Sequence, residues 1–259
     1  MDALLDWWAD MGVEADPAVI RAARKAVAAP RRPSETRKPE APPARSRKPR
    51  TPEDWAEEAW RAAAAAGDIP ALKAAIEAFD GSPLKAGAEN TVVFDGVPGA
   101  PVMVIGEGPG AEEDRQGLPF VGKAGQLLDR MLAAIRLSRA ENTLITNVNY
   151  WRPPKNRNPD PDELIVCRPF VDRLIELSAP KLIIAAGGVP TTSLLATKTG
   201  IMRLRGKPKE YQTPGGWSGP LVPIFHPAFL LRRPQEKARA WVDLQMIERM
   251  LREAGVELG

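Results

Sequence analysis

Four short apolar runs, each separated from the next by a segment of helical period, constrain this chain more than any other feature. They are Pro101–Gly106 (PVMVIG), Thr143–Val148 (TLITNV), Lys181–Ala186 (KLIIAA) and Leu221–Phe225 (LVPIF). Runs of this length with little polar alternation suit strands covered on both faces. After the first, Ala124, Leu127, Leu128, Met131, Leu132 and Ile135 draw an apolar stripe down one side of a helix. After the second, Asp160-Pro161-Asp162-Glu163 opens a helix to about Leu177, with an acid placed for a capping box. Gly187-Gly188 leads into a helix to Leu195, and a last helix carries Trp241, Leu244, Ile247 and Leu251. Strands alternating with helices imply parallel pairing through right-handed crossovers. The expected fold is α/β: a three-layer α/β/α sandwich around a four-stranded, mostly parallel sheet, with an N-terminal helical and disordered extension.

The expected organisation is an N-terminal helical segment at 1–29, a basic, Pro-rich disordered linker at 30–51 and the folded domain at 52–259. The formal net charge is +3, but residues 31–50 carry eight basic and two acidic side chains, leaving the remainder negative. That stretch holds no aliphatic residue larger than Ala, so burial cannot offset its ordering entropy. It is read either as an electrostatic tether for a polyanion or as a solubilising spacer. Trp7 and Trp8 precede it on a short amphipathic piece that docks on the main domain or on a partner. The domain opens at Thr51-Pro52-Glu53-Asp54, a hydroxyl N-cap, a proline at the first helical position and acids in the first turn.

Composition removes several classes. Hydrophobic residues make up 44% of the 259, enough for a core. No apolar run approaches the ~18 residues of a membrane span, and Met1-Asp2-Ala3 does not begin a secretory signal. The expectation is a cytoplasmic protein with no membrane contact. Cys167 and His226 are the only residues of their kinds, which excludes an intrachain disulfide and a Cys/His zinc site.

In an open parallel sheet, ligands gather at the carboxyl ends of the strands. Gly106-Glu107-Gly108-Pro109-Gly110 follows the first run. Asn147 ends the second, and Trp151-Arg152-Pro153-Pro154-Lys155-Asn156-Arg157 comes after it. Gly187-Gly188 follows the third, and His226-Pro227 the fourth. One edge of the sheet thus collects a carboxylate, an amide and the sole imidazole.

Three segments carry a family resemblance. GEGPGAEEDRQGLPFVGKAGQLLDRML (106–132), TNVNYWRPPKNRNPDPDEL with the later Cys167, and HPAFLLRRPQEKARAWVDL (226–244) closely resemble the motifs of family-4 uracil-DNA glycosylases. The likeness runs in order over about 75–254. It implies a monofunctional DNA repair hydrolase that flips uracil out of DNA, cleaves its N-glycosidic bond and leaves an abasic site. By resemblance, Glu107 orients or activates water, or offsets the oxocarbenium charge, and His226 donates to the uracil O2. Gly108, Phe120, Asn147 and His226 bind uracil, with Phe120 stacking and Asn147 reading the base edge. Each has a plainer alternative: core packing for Phe120, a strand-end cap for Asn147, a structural role for His226. Arg152, Pro153, Arg157 and Arg232 would meet DNA, and Phe229, Leu230 and Leu231 would form an apolar wedge on a loop, or else pack inside. Glu112, Glu113 and Asp114 read as a solvated turn or helix cap.

The chain departs from the family at its iron–sulfur ligands. Where family-4 enzymes carry four cysteines, this sequence has Phe79, Ser82, Trp151 and Cys167. The expectation is therefore no cluster, no metal and no other cofactor, with Phe79 and Trp151 filling the volume and Cys167 a buried remnant. The covalent uracil-trapping branch carries a second histidine in an inserted loop, which is absent here. Expected partners are uracil-containing DNA and a repair protein reached through residues 1–50, with the chain a nucleoid-associated monomer. The rival readings are a uracil-DNA binding or sensing protein without turnover, and a glycosylase for another deaminated base.

Overall fold

The computed structural model describes residues 50–258. The expected helical segment at 1–29 and nearly all of the basic linker at 30–51 lie outside the described residues. The first described element starts at the N-cap signal of Thr51. Helix α1 (Pro52–Ala65) is capped by Thr51, whose hydroxyl accepts the Asp54 N–H at 3.3 Å while the Asp54 carboxylate accepts the Thr51 N–H at 2.8 Å. Helix α2 (Ile69–Ala78) is capped by Asp68, whose carboxylate accepts the Ala71 N–H at 2.8 Å.

The four apolar runs form a parallel core: β2 (Val102–Gly106), β3 (Thr143–Asn147), β4 (Leu182–Ala186) and β6 (Ser218–Ile224). The sheet has six strands rather than the expected four, in the order β1-β3-β2-β4-β6-β5. The extra two are antiparallel edges. Strand β1 (Phe94–Gly96) pairs with β3, and β5 (Lys209–Gln212) pairs with β6. Three residues are too few to show a period, and β5 is exposed at Lys209, Glu210 and Gln212. Charged, short edges of this kind resist pairing with other chains, and they also hide a strand from pattern reading.

Strand alternation splits the core. Met103 and Ile105 of β2 point into one apolar cluster, and Val102 and Val104 into the other. The first cluster takes Ala59 and Ala63 of α1, Leu72 and Ile76 of α2, and Val166 and Phe170 of α5 (Pro161–Ser178). The second takes Leu128 and Leu132 of α4 (Lys123–Ala133), Leu230 of α8 (Pro227–Arg232) and Leu244 and Ile247 of α9 (Lys237–Glu253). Three layers result. Each fully buried aliphatic side chain contributes about 2 kcal/mol of hydrophobic stabilisation. On α9 Leu244, Ile247 and Leu251 are buried, whereas Trp241 is 43% exposed. Among the described residues there are three further short α-helices: α3 (Ala111–Gln116), α6 (Gly188–Leu194) and α7 (Ile201–Leu204). Among the described residues no helix is long and apolar enough to cross a membrane.

Candidate active site

From central β2 the chain crosses to β3 on one side and then to β4 on the other. That reversal opens a crevice at the carboxyl ends of the strands. A cavity of about 580 Å³ lies there, and Glu107, Gly108, Phe120, Asn147 and His226 all line it. Its size suits a small-molecule or single-base ligand.

Asn147 ends β3 and is 1% exposed. Its carboxamide makes no hydrogen bond to a described residue, yet it borders the cavity. Among the described residues only the Tyr150 and Ser178 hydroxyls are buried without a partner, so the Asn147 amide opens onto the cavity, where a ligand can reach it. Gly106, its neighbour across β2, makes the approach possible. A Cβ there would sit 2.5 Å from both the Asn147 Oδ1 and the Phe120 ring. Phe120 is buried and its ring stacks on that of His226, with centroids 5.6 Å apart and planes inclined by 30°.

His226 caps α8. Its Nδ1 accepts the Ala228 N–H at 3.1 Å. Burial, and secondarily the charge of Arg232, lowers the imidazole pKa to about 4, against a small opposing pull from Glu113. The ring is therefore neutral at pH 7. With Nδ1 accepting, Nε2 carries the proton and is the donor. Glu107 follows β2 at the cavity wall and makes no hydrogen bond to a described residue. Burial raises its carboxyl above the usual 4.5. The cavity thus combines an unpartnered amide, a neutral imidazole donor and a carboxylate with a strengthened appetite for protons. That set can read a polar base edge, stabilise developing negative charge and hold a water.

Residues 94–245 match the family model of the uracil DNA glycosylase superfamily. The chain belongs to that superfamily. The Type-4 uracil-DNA glycosylase of Thermotoga maritima is 36% identical over 176 residues, covering 67% of this chain and 89% of the relative. That of Pyrobaculum aerophilum is 37% identical over 188 residues, covering 69% and 92%. That of Archaeoglobus fulgidus is 38% identical over 152 residues, covering 57% and 75%.

The superfamily's expected DNA-facing residues fall into different places. Pro153, Phe229 and Arg232 line the cavity. Arg152 sits beside it, with Nε donating to Asn156 Oδ1 at 2.7 Å and Nη1 3.8 Å from Asp114. Arg157 also lines the cavity, but its guanidinium is committed. It grips both oxygens of Glu163 at 2.8 and 2.6 Å and donates to the Asn158 carbonyl at 2.9 Å. The fork ties its loop to α5 instead of standing open to a phosphate. Phe229, Leu230 and Leu231 lie on the short helix α8, not on a loop. Leu230 is 1% exposed in the second core cluster, so it is removed from the expected wedge, whereas Leu231 is 41% exposed. A helix turns successive side chains by about 100°, which separates neighbours that a loop could present together.

Other roles were not legible. Asp114, expected on a solvated turn or helix cap, is 2% exposed and accepts the Glu89 and Asn90 N–H groups at 2.9 and 3.2 Å. Asn149 was missed. Its amide donates to the Trp151 carbonyl at 2.6 Å and packs behind Gly108, where a Cβ would lie 3.2 Å from Nδ2. The repeat of Asn in Thr146-Asn147-Val148-Asn149 is the only signal that pointed to it.

The positions of the family-4 cluster ligands do not fit an iron–sulfur group. One cysteine cannot supply four thiolates. The space is filled by aromatic rings: Phe79 lies 6.5 Å from Trp151 and 5.2 Å from Phe170, centroid to centroid. Trp151 is fully buried and its indole N–H donates to Thr91 at 3.0 Å. Cys167 is buried, and that burial pushes its thiol up to about 12. Among the described residues no group of three or more His, Cys, Asp or Glu side chains could hold a metal ion.

Proposed function

We propose that this chain is a uracil-DNA glycosylase that hydrolyses the N-glycosidic bond of uracil flipped out of DNA. The Type-4 uracil-DNA glycosylases named above support the activity. The observation that carries the substrate is Asn147, a buried carboxamide whose donor and acceptor find no partner among the described residues and face the cavity. Uracil offers a matching acceptor and donor along one edge. Cytosine reverses part of that pattern and would leave buried groups unpaired.

In this reading Phe120 stacks on the base and Gly108 lets the backbone come close. His226 donates its Nε2 proton to the uracil O2 as the leaving group gains negative charge. A neutral donor serves well here, because it strengthens its hydrogen bond in step with the charge and needs no compensating anion. Glu107 orients the attacking water and faces the positive sugar. Leu231 fills the gap left by the base, and Arg152 and Arg232 meet the backbone. No step uses a metal or a cluster, and the aromatic packing around Phe79 and Trp151 takes over the cluster's structural place. The protein acts as a monomer in the cytoplasm at the nucleoid, with residues 1–29 and the basic stretch at 30–51 forming a tether to DNA or a repair partner and residues 52–259 the catalytic domain.

The test is an oligonucleotide with a single uracil, incubated with the full chain and then treated with alkali. Scission at the uracil supports the reading. An oligonucleotide that is retarded on a gel yet stays intact would make the protein a binder without turnover. Iron assay of the protein as purified should find none in stoichiometric amount.

A further inference from the structure

Phe120 has a left-handed backbone, with φ 54°. Phenylalanine rarely occupies that region, and such strain persists only where the surroundings impose it. Two side chains of opposite charge do so. Arg139 donates from Nη1 to the Pro119 carbonyl at 3.1 Å and from Nη2 to the Phe120 carbonyl at 2.9 Å. Glu113 accepts the next two amides, Val121 at 3.1 Å and Gly122 at 2.8 Å, on one oxygen, and Gly110 at 3.1 Å on the other. Cationic donors thus hold the carbonyls before the bend and an anionic acceptor holds the N–H groups after it.

The grip is anchored. Arg139 is itself held by Asp95 of β1 at 2.7 Å and by Asp129 of α4 at 2.8 and 2.9 Å. Gly125 leaves room for it, since a Cβ there would lie 1.7 Å from the Phe120 carbonyl oxygen. Arg139 does not line the cavity. It reaches the site only through the peptide that carries Phe120.

We propose that Arg139 and Glu113 are positioning residues, a guanidinium–carboxylate clamp that locks Pro119–Gly122 and fixes the Phe120 ring against His226 as a rigid wall for the flipped base. This rests on the reading that Phe120 stacks on that base. Glu113 also links the wall to the turn after β2, because the same carboxylate holds Gly110. The clamp explains why β1 matters despite its length: it supplies Asp95.

The experiment uses the full chain with Arg139→Lys, which keeps the charge and loses the fork, and separately Asp129→Asn, which keeps the shape and removes one anchor. Amide exchange at Val121 and Gly122 is followed by NMR, and kcat and KM for uracil release are measured well below the melting temperature. In both variants exchange at these two amides should quicken about tenfold or more relative to the core strands. For Arg139→Lys, kcat/KM should fall on the order of a hundredfold, as for a displaced binding wall. Unchanged exchange at the two amides, or local quickening with full kcat/KM, overturns the clamp. So does uniform quickening with kcat/KM intact, which is the mark of a merely structural role. A wild-type chain that releases no uracil overturns the functional reading, and the exchange measurement then decides the clamp by itself.

Discussion

Phe120 and His226 lie ring on ring, 5.6 Å between centroids with their planes 30° apart. The contact shields one face of the imidazole, and the Ala228 amide occupies its Nδ1. The result is a histidine that stays neutral well below pH 7 and points its remaining donor, Nε2, away from its own backbone cap.

That neutral state is linked to stability. The folded pKa, about 4, lies below the ordinary 6.5, so between these values the unfolded chain binds more protons. The contribution is fully present above about pH 6.5 and is lost as pH falls toward 4, amounting to about 3 kcal/mol. Thermal melts at pH 7 and pH 4.5 should show a larger loss for the wild type than for His226→Gln. Equal losses would refute the assignment.

Glu107 should set the acid limb of the activity. Burial raises its pKa above 4.5, whereas His226 does not ionise until about 4. The profile of kcat/KM should therefore fall through one ionisation placed above the usual carboxylate range. Glu107→Gln should lower kcat by about 100-fold to 10,000-fold and erase that limb. A limb that survives the substitution belongs to another group.

Leu230 and Leu231, adjacent in sequence, should separate cleanly. Leu230 is buried, so Leu230→Ala should cost about 2–5 kcal/mol of stability, read from denaturant unfolding. Leu231 is exposed on the same helix. Leu231→Ala should leave stability within about 0.5 kcal/mol and lower activity on double-stranded more than on single-stranded uracil DNA. A reversed pattern would put the wedge elsewhere.

Asn147→Ala removes both the donor and the acceptor of the buried amide. Uracil release should drop by about 100-fold or more, and inhibition by free uracil should weaken in parallel. If inhibition by uracil is unchanged, Asn147 is a strand-end residue and not the reader of the base.

Much of the frame was legible in the linear chain. The four parallel strands, the Thr51 and Asp160 helix starts and the gathering of Glu107, Asn147 and His226 all depend on local signals: period, capping chemistry and the rule that parallel strands share an end. The absence of three cluster cysteines was equally plain, because it is a matter of which residues exist.

The tertiary structure alone decided the rest. Edge strands β1 and β5 take their identity from their neighbours β3 and β6. Arg157 became a brace because Glu163, six residues on, reaches back to it from α5. Arg139 acquired a task through Asp95, Pro119, Phe120 and Asp129, between 10 and 44 residues away along the chain. Local propensity is encoded by near neighbours and can be read directly. Which charge meets which carbonyl depends on how whole layers pack, and a sequence read in short windows holds no measure of that distance.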